Sequence, residues 1–220
     1  MNPRLHLPRV YPIVDAAQFS GSSNPGDSMI QFTGELLRGG ATLFQYRDKI
    51  QTGRQFLSCA RELRRVTRQK ATLIINDRSD LCLAAEADGV HLGQDDLAPE
   101  AARRIFDAAI DNTNPRNPLW IGFSTHNLTQ VEHAELLPVD YIAIGPVFAT
   151  SGKANPDPVL GLEGVRQARK ATAKPLVAIG GITRENCRAV LEAGADSIAV
   201  ISDLLASPAK ALEEFIRVLE

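Results

Sequence analysis

The chain has 220 residues, 44% of them hydrophobic, and a formal net charge of −2. That is enough apolar material for a packed core, with no bulk electrostatic basis for binding nucleic acid or an anionic membrane. No apolar run approaches the ~20 residues of a membrane helix, and MNPRLHLPRVYPIVD at the N-terminus has no signal-peptide core. The cysteines, Cys59, Cys82 and Cys187, are far apart and odd in number, so they suggest neither a C-x-x-C metal pattern nor a disulfide framework. A soluble cytoplasmic protein acting on small molecules is expected, with its oligomeric state left open.

In chain order, apolar runs of β character extend from Val10 to Val14, Ala41 to Gln45, Leu73 to Ile75, Gly89 to Leu92, Leu119 to Phe123, Tyr141 to Ile144, Leu176 to Ile179 and Ser197 to Ile201. Segments of helical period lie between them, among them Ile30, Leu36 and Leu37; Phe56, Leu57, Ala60 and Leu63; and Leu212, Phe215, Ile216 and Leu219. Gly39-Gly40 and Gly194 follow helical stretches, where left-handed geometry favours glycine. Asp27 and Thr183 are expected N-caps. Two phrases, AAEADGVHL and LEAGADSIAV, use one helix-to-strand junction twice.

Alternating strands and helices imply parallel strands joined by right-handed crossovers. Eight such units in 220 residues fit an α/β fold, a (β/α)8 TIM barrel forming one domain over 1–220. An open doubly wound sheet would place a glycine-rich turn after the first strand, where this chain has DAAQFSGSSNPGDS.

In a barrel all strands end on one face, so polar residues just past them converge. The second strand ends FQYRDK, and alternation puts Gln45, Arg47 and Lys49 on one side with Tyr46 and Asp48 on the other. One amide and two cations suit a polyanion; the alternative is a solvated charged loop. Asn76-Asp77 and GQDD, ending at Asp96, follow the neighbouring third and fourth strands. Their carboxylates can share a hard divalent ion such as Mg²⁺, or serve as helix N-caps. The fifth strand ends in Ser124, Thr125 and His126 without a G-x-S-x-G nucleophile turn, so His126, like His91 within the fourth strand, reads as a structural or ring-contact residue. The long loop after the sixth strand, GPVFATSGKANPDPVLG, has the wrong spacing for a P-loop, but Lys153 on it can reach an anion site. Gly180-Gly181 and Ile201-Ser202 end the last two strands, where barrels commonly bind a monophosphate; simple tight turns are the alternative.

Taken together, YPIVD, FQYRDK, INDR, ADGVHLGQDD, GFSTHN, YIAIGPVFATSGK, LVAIGGIT and AGADSIAVIS resemble the thiamine phosphate synthase family over nearly the whole chain. The resemblance implies a Mg²⁺-assisted transferase that joins a pyrimidinylmethyl diphosphate to a thiazole ethyl phosphate and releases pyrophosphate. It implies that Gln45 binds the aminopyrimidine and that Arg47, Lys49, Asn76, Ser124 and Lys153 contact its diphosphate. It places Mg²⁺ on Asp77 and Asp96, and the thiazole phosphate on Thr150, Ser151, Gly152, Gly181, Ile201 and Ser202. Arg47, Ser124 and Lys153 are the expected catalytic groups. The family's sixth loop usually reads T-x-T-K or T-x-S-K, whereas Thr150-Ser151-Gly152-Lys153 lacks the third hydroxyl. A thiazole tautomerase and a non-catalytic thiazole- or phosphate-binding relative are the alternatives.

Overall fold

The computed structural model describes residues 7–109, 119–150 and 158–220. Strands and helices alternate along it: β1 (Val10–Asp15), α1 (Pro25–Arg38), β2 (Leu43–Arg47), α2 (Gly53–Thr67), β3 (Thr72–Asn76), α3 (Ser79–Ala84), β4 (Gly89–Leu92), α4 (Pro99–Ala109), β5 (Trp120–Thr125), α5 (Leu128–Leu136), β6 (Tyr141–Ile144), α6 (Gly161–Ala171), β7 (Leu176–Ile179), α7 (Cys187–Glu192), β8 (Ser197–Val200) and α8 (Pro208–Leu219). The strands are all parallel and close in sequence order, β8 pairing with β1. This is the (β/α)8 TIM barrel expected from the alternation. Among the described residues no helix is long and apolar enough to cross a membrane.

Strand side chains alternate between two cores. Tyr11, Ile13, Leu43, Ile74, Tyr141, Ala143, Val177 and Ala199 fill the barrel interior. Their neighbours, such as Val14, Phe44, Tyr46, Ile75 and Val90, face outward and pack beneath the helices. The period-two reading of FQYRDK therefore holds: Gln45 lies on the inward side and Tyr46 on the outward one.

Three expectations shift. The second strand was expected from Ala41 to Gln45, but begins at Leu43 and runs to Arg47. Gly40, at φ +96°, ends α1, and the Ala41 N–H donates back to the Leu36 carbonyl at 3.0 Å, so Ala41 belongs to the helix terminus. Asn24, not Asp27, caps α1: its side chain accepts from the Asp27 N–H, with Pro25 in the first helical position. Thr183 heads the turn before α7, accepting from the Glu185 N–H through its hydroxyl; Asn186 occupies the cap position.

The repeated junction has a physical basis. Asp88 immediately precedes β4, accepts from the Leu73 N–H on β3 at 2.8 Å, and pairs with Arg64 of α2 at 2.8 Å. Asp196 does the same before β8, with the Leu176 N–H and Arg169 of α6. Asp140, before β6, is a third copy, accepting from the Ile121 N–H and pairing with Arg103 of α4. Each carboxylate satisfies an amide at the open lower rim and locks a helix to the strand pair above it.

Candidate active site

The upper rim gathers the strand-end residues. Arg47, ending β2, donates from Nη1 to Asp15 Oδ2 at 2.6 Å, the two residues being in register across β1 and β2. Lys49 lies beyond it, with Nζ 3.2 Å from Asp77 Oδ2. Asp77 stands in left-handed geometry, φ +65°, with its N–H donated to the His91 carbonyl at 2.8 Å. That backbone costs an aspartate on the order of 1 kcal/mol and turns it out of β3 ahead of α3. It does not cap α3, whose cap position is Arg78. Asp96 closes its own turn, Oδ2 accepting from the Gly93 N–H at 2.7 Å.

Asp77 and Asp96 interact directly. Burial, and then the neighbouring Asp96 carboxylate, push the Asp77 pKa up, while Lys49 pulls it down. Two partly desolvated carboxylates facing each other favour a divalent cation between them. Their oxygens suit Mg²⁺, which takes one or two protein carboxylates and fills its other positions with water and substrate phosphate oxygens. Among the described residues no group of three or more His, Cys, Asp and Glu could make an all-protein metal cage.

Gln45 and Asn76 are buried near the ends of β2 and β3. Gln45 Nε2 donates to the Tyr11 hydroxyl at 3.3 Å. Ser124, near the end of β5, has its hydroxyl 2.8 Å from His91 Nε2, and its carbonyl accepts from Gln94 Nε2 at 2.6 Å. His91 is neutral: burial holds its pKa down to about 4. His126 Nδ1 lies 2.9 Å from the Gly145 carbonyl.

The other half of the rim is built on backbone. The loop after β6 runs beside β7, Val147 N–H donating to the Ile179 carbonyl at 2.9 Å and Phe148 N–H to that of Gly180 at 3.0 Å. Gly180 and Gly181 have φ +102° and +64°, and a Cβ on Gly181 would lie 2.5 Å from the Ala149 carbonyl oxygen. Glycine is therefore required there, and it lets Phe148 and Ala149, just ahead of Thr150, lie against Gly181. Ser202 opens a short 3-10 turn, Ser202–Leu204, directly after Ile201. Arg184 donates from its N–H and Nε to Asp203, each at 3.0 Å, and also bonds Glu214, tying the loops after β7 and β8 to α8. Ser151, Gly152 and Lys153 lie outside the described residues.

Sequence reading missed Asp15, although it too sits at a strand end, and it missed the two tyrosines inside the barrel. The rule that flagged Asp77 flags Asp15 as well; its ion pair with Arg47 depends on register, which no local pattern reveals.

A profile described as thiamine monophosphate synthase matches residues 10–204. A thiamine-phosphate synthase of Koribacter versatilis is 52% identical over 98% of this chain and 97% of its own length. One from Chloroflexus aurantiacus is 40% identical over 90% of this chain and 86% of its own. Among solved structures, thiamine phosphate pyrophosphorylase from Pyrococcus furiosus is similar with a TM-score of 0.81 and 34% identity, covering 96% of this chain and 95% of that one.

Proposed function

The chain belongs to the thiamine monophosphate synthase family, and we propose on that basis that it joins 4-amino-2-methyl-5-(diphosphooxymethyl)pyrimidine to thiazole ethyl phosphate. Thiamine phosphate and pyrophosphate are the products. The 52% identity to a thiamine-phosphate synthase over nearly both full lengths carries this reading.

The reaction breaks the bond between the methylene carbon and the diphosphate oxygen, the electron pair leaving with oxygen. The thiazole nitrogen then supplies the pair for the new C–N bond. The amino group feeds electron density into the ring and stabilises the electron-poor methylene, so no protein base has to remove a proton. What the protein must supply is stabilisation of the departing anion in a shielded site. Arg47, oriented by Asp15, and Lys49, near Asp77, supply two fixed positive charges. Lys153 is assigned a third through the family motif. Ser124 adds a hydroxyl donor and Asn76 an amide at the same end of the barrel. Asp77 and Asp96 are the residues that would hold Mg²⁺, which when bound neutralises diphosphate charge.

Gln45 is assigned to the aminopyrimidine through the family motif. Across the rim, Thr150 and Gly181, with Ser151 and Gly152 by motif, are assigned to the thiazole phosphate together with Ile201 and Ser202. Backbone N–H groups carry more of that grip where Gly152 has no hydroxyl. The three free, buried cysteines fit a reducing, cytoplasmic setting.

Chelation tests the metal assignment. Treatment with EDTA should stop thiamine phosphate formation, and added Mg²⁺ should restore it. Undiminished formation in metal-free protein would remove Asp77 and Asp96 from the role given them.

A further inference from the structure

A line of hydrogen bonds crosses the barrel interior. Gln45 Nε2 donates to the Tyr11 hydroxyl at 3.3 Å. The Tyr11 and Tyr141 hydroxyls are 3.0 Å apart. Tyr141 lies 3.0 Å from His91 Nδ1, and His91 Nε2 lies 2.8 Å from Ser124 Oγ. Gln45, Tyr11, Tyr141 and His91 are all buried. The line has been given room: a Cβ on Gly122 of β5 would lie 2.3 Å from the Tyr141 hydroxyl and 2.5 Å from His91 Nδ1. Gly122 is in register with His91 on one side and Tyr141 on the other. The bare backbone there lets Tyr141 reach across a strand to the histidine.

Proton counting gives the line a direction. An amide nitrogen donates and cannot accept, so the single Tyr11 proton goes to Tyr141. The Tyr141 proton goes to His91 Nδ1, which must then be bare. The ring proton sits on Nε2 and is donated to Ser124 Oγ. The Ser124 proton is left to point out of the interior.

We propose that Tyr11, Tyr141 and His91 are positioning residues, forming a one-way hydrogen-bond chain that sets Gln45 Oε1 as an acceptor and Ser124 as a donor toward the two ends of one substrate. This rests on the assignment of Gln45 to the aminopyrimidine and Ser124 to its diphosphate. An exocyclic amine donates, and a diphosphate only accepts, so this direction matches both. The reverse direction, with the Gln45 amide turned over, aims the Ser124 proton at His91 and leaves lone pairs facing the anion. The chain therefore couples the polarity of the two contacts across the barrel.

The test begins with ¹⁵N NMR of the wild-type imidazoles near neutral pH, the His91 signals identified by their loss in His91→Gln. The proposal predicts a proton on Nε2 and a bare Nδ1. A proton on Nδ1 would overturn it, whatever the protein catalyses, so this failure is separable from failure of the functional reading. Tyr141→Phe, which removes only the hydroxyl, should lower kcat about tenfold with the thiazole phosphate KM unchanged. Tyr11→Phe, one link further from Ser124, should lower it less. In a Ser124→Ala background the Tyr141→Phe loss should shrink, because part of the tyrosine's effect acts through the serine. Full multiplication of the two losses in folded double variants would contradict the chain.

Discussion

At Asp77, burial, backbone strain and a like charge are combined at one carboxylate. Its raised pKa has a definite sign in stability. The folded state holds the proton more tightly than the unfolded chain, so the favourable contribution is full below the ordinary aspartate range. It is lost as pH rises through the raised folded value. Asp96→Asn removes the like charge and should flatten that loss. In metal-free protein at pH 7 the variant should melt about 2–4 °C higher than wild type, the effect of about 1 kcal/mol in a chain of this size. The gap should close toward pH 4, and should close or reverse when Mg²⁺ stabilises wild type alone. A wild type that is the more stable of the two at pH 7 without metal would refute the tension between the carboxylates. Arg47 carries a different expectation. Arg47→Ala should lower kcat by about 10²-fold, the order seen when one transition-state donor is lost. A change confined to the thiazole phosphate KM would mean that the two anion sites are exchanged. The strand-end rule placed Gln45, Arg47, Asp77, Asp96 and Ser124 at one rim from sequence alone, because each lies at or within four residues of the end of an apolar run. The Tyr11–Tyr141–His91 line was not legible, since its members are 50 or more residues apart along the chain and meet only through barrel closure.

The elements carry a second kind of information, at the opposite end of the strands. Asp88 and Asp196 were visible as one repeated phrase, and they turn out to share one set of contacts with helix and strand. Asp140 shares those contacts too, but not the phrase: LLPVDYIAI keeps only the aspartate and the strand behind it. What recurs is a carboxylate one residue before a strand and an arginine on the second helix back. Asp140→Ala leaves the Ile121 N–H without its side-chain acceptor and Arg103 without its anion. The expected cost is about 2 kcal/mol, lowering Tm by about 4–8 °C. Because the junction lies at the lower rim, kcat at a temperature where the variant is folded should stay within about twofold of wild type. Thermal melts and initial rates on one preparation would decide this; a fall in kcat with an unchanged Tm would contradict it. Element boundaries were less legible than the elements themselves. Gly40 sets the start of β2 through helix termination, and Asn24 takes the cap from Asp27 because Pro25 fixes where α1 begins.

At the scale of the molecule, closure of the eight strands makes one site from residues spread between Asp15 and Ser202. The cationic arc of Arg47 and Lys49 stands beside the acidic pair, and the glycine turn at Gly180-Gly181 stands across the rim with the loop after β6 laid against it. The fold offers two chemically distinct arcs: charged side chains on one, and glycine-built backbone on the other. The alternation of apolar runs made the barrel legible because every strand is short, apolar and separated by one helix. The proposed assignment of those arcs to two anions comes only from the order of the motifs. The most direct measurement is turnover by the purified protein with both substrates and Mg²⁺, following thiamine phosphate and pyrophosphate together. A synthase forms the two in equal amounts and forms neither when either substrate is left out. Isomerised thiazole without pyrophosphate, or tight thiazole phosphate binding with no product at all, would contradict the assignment.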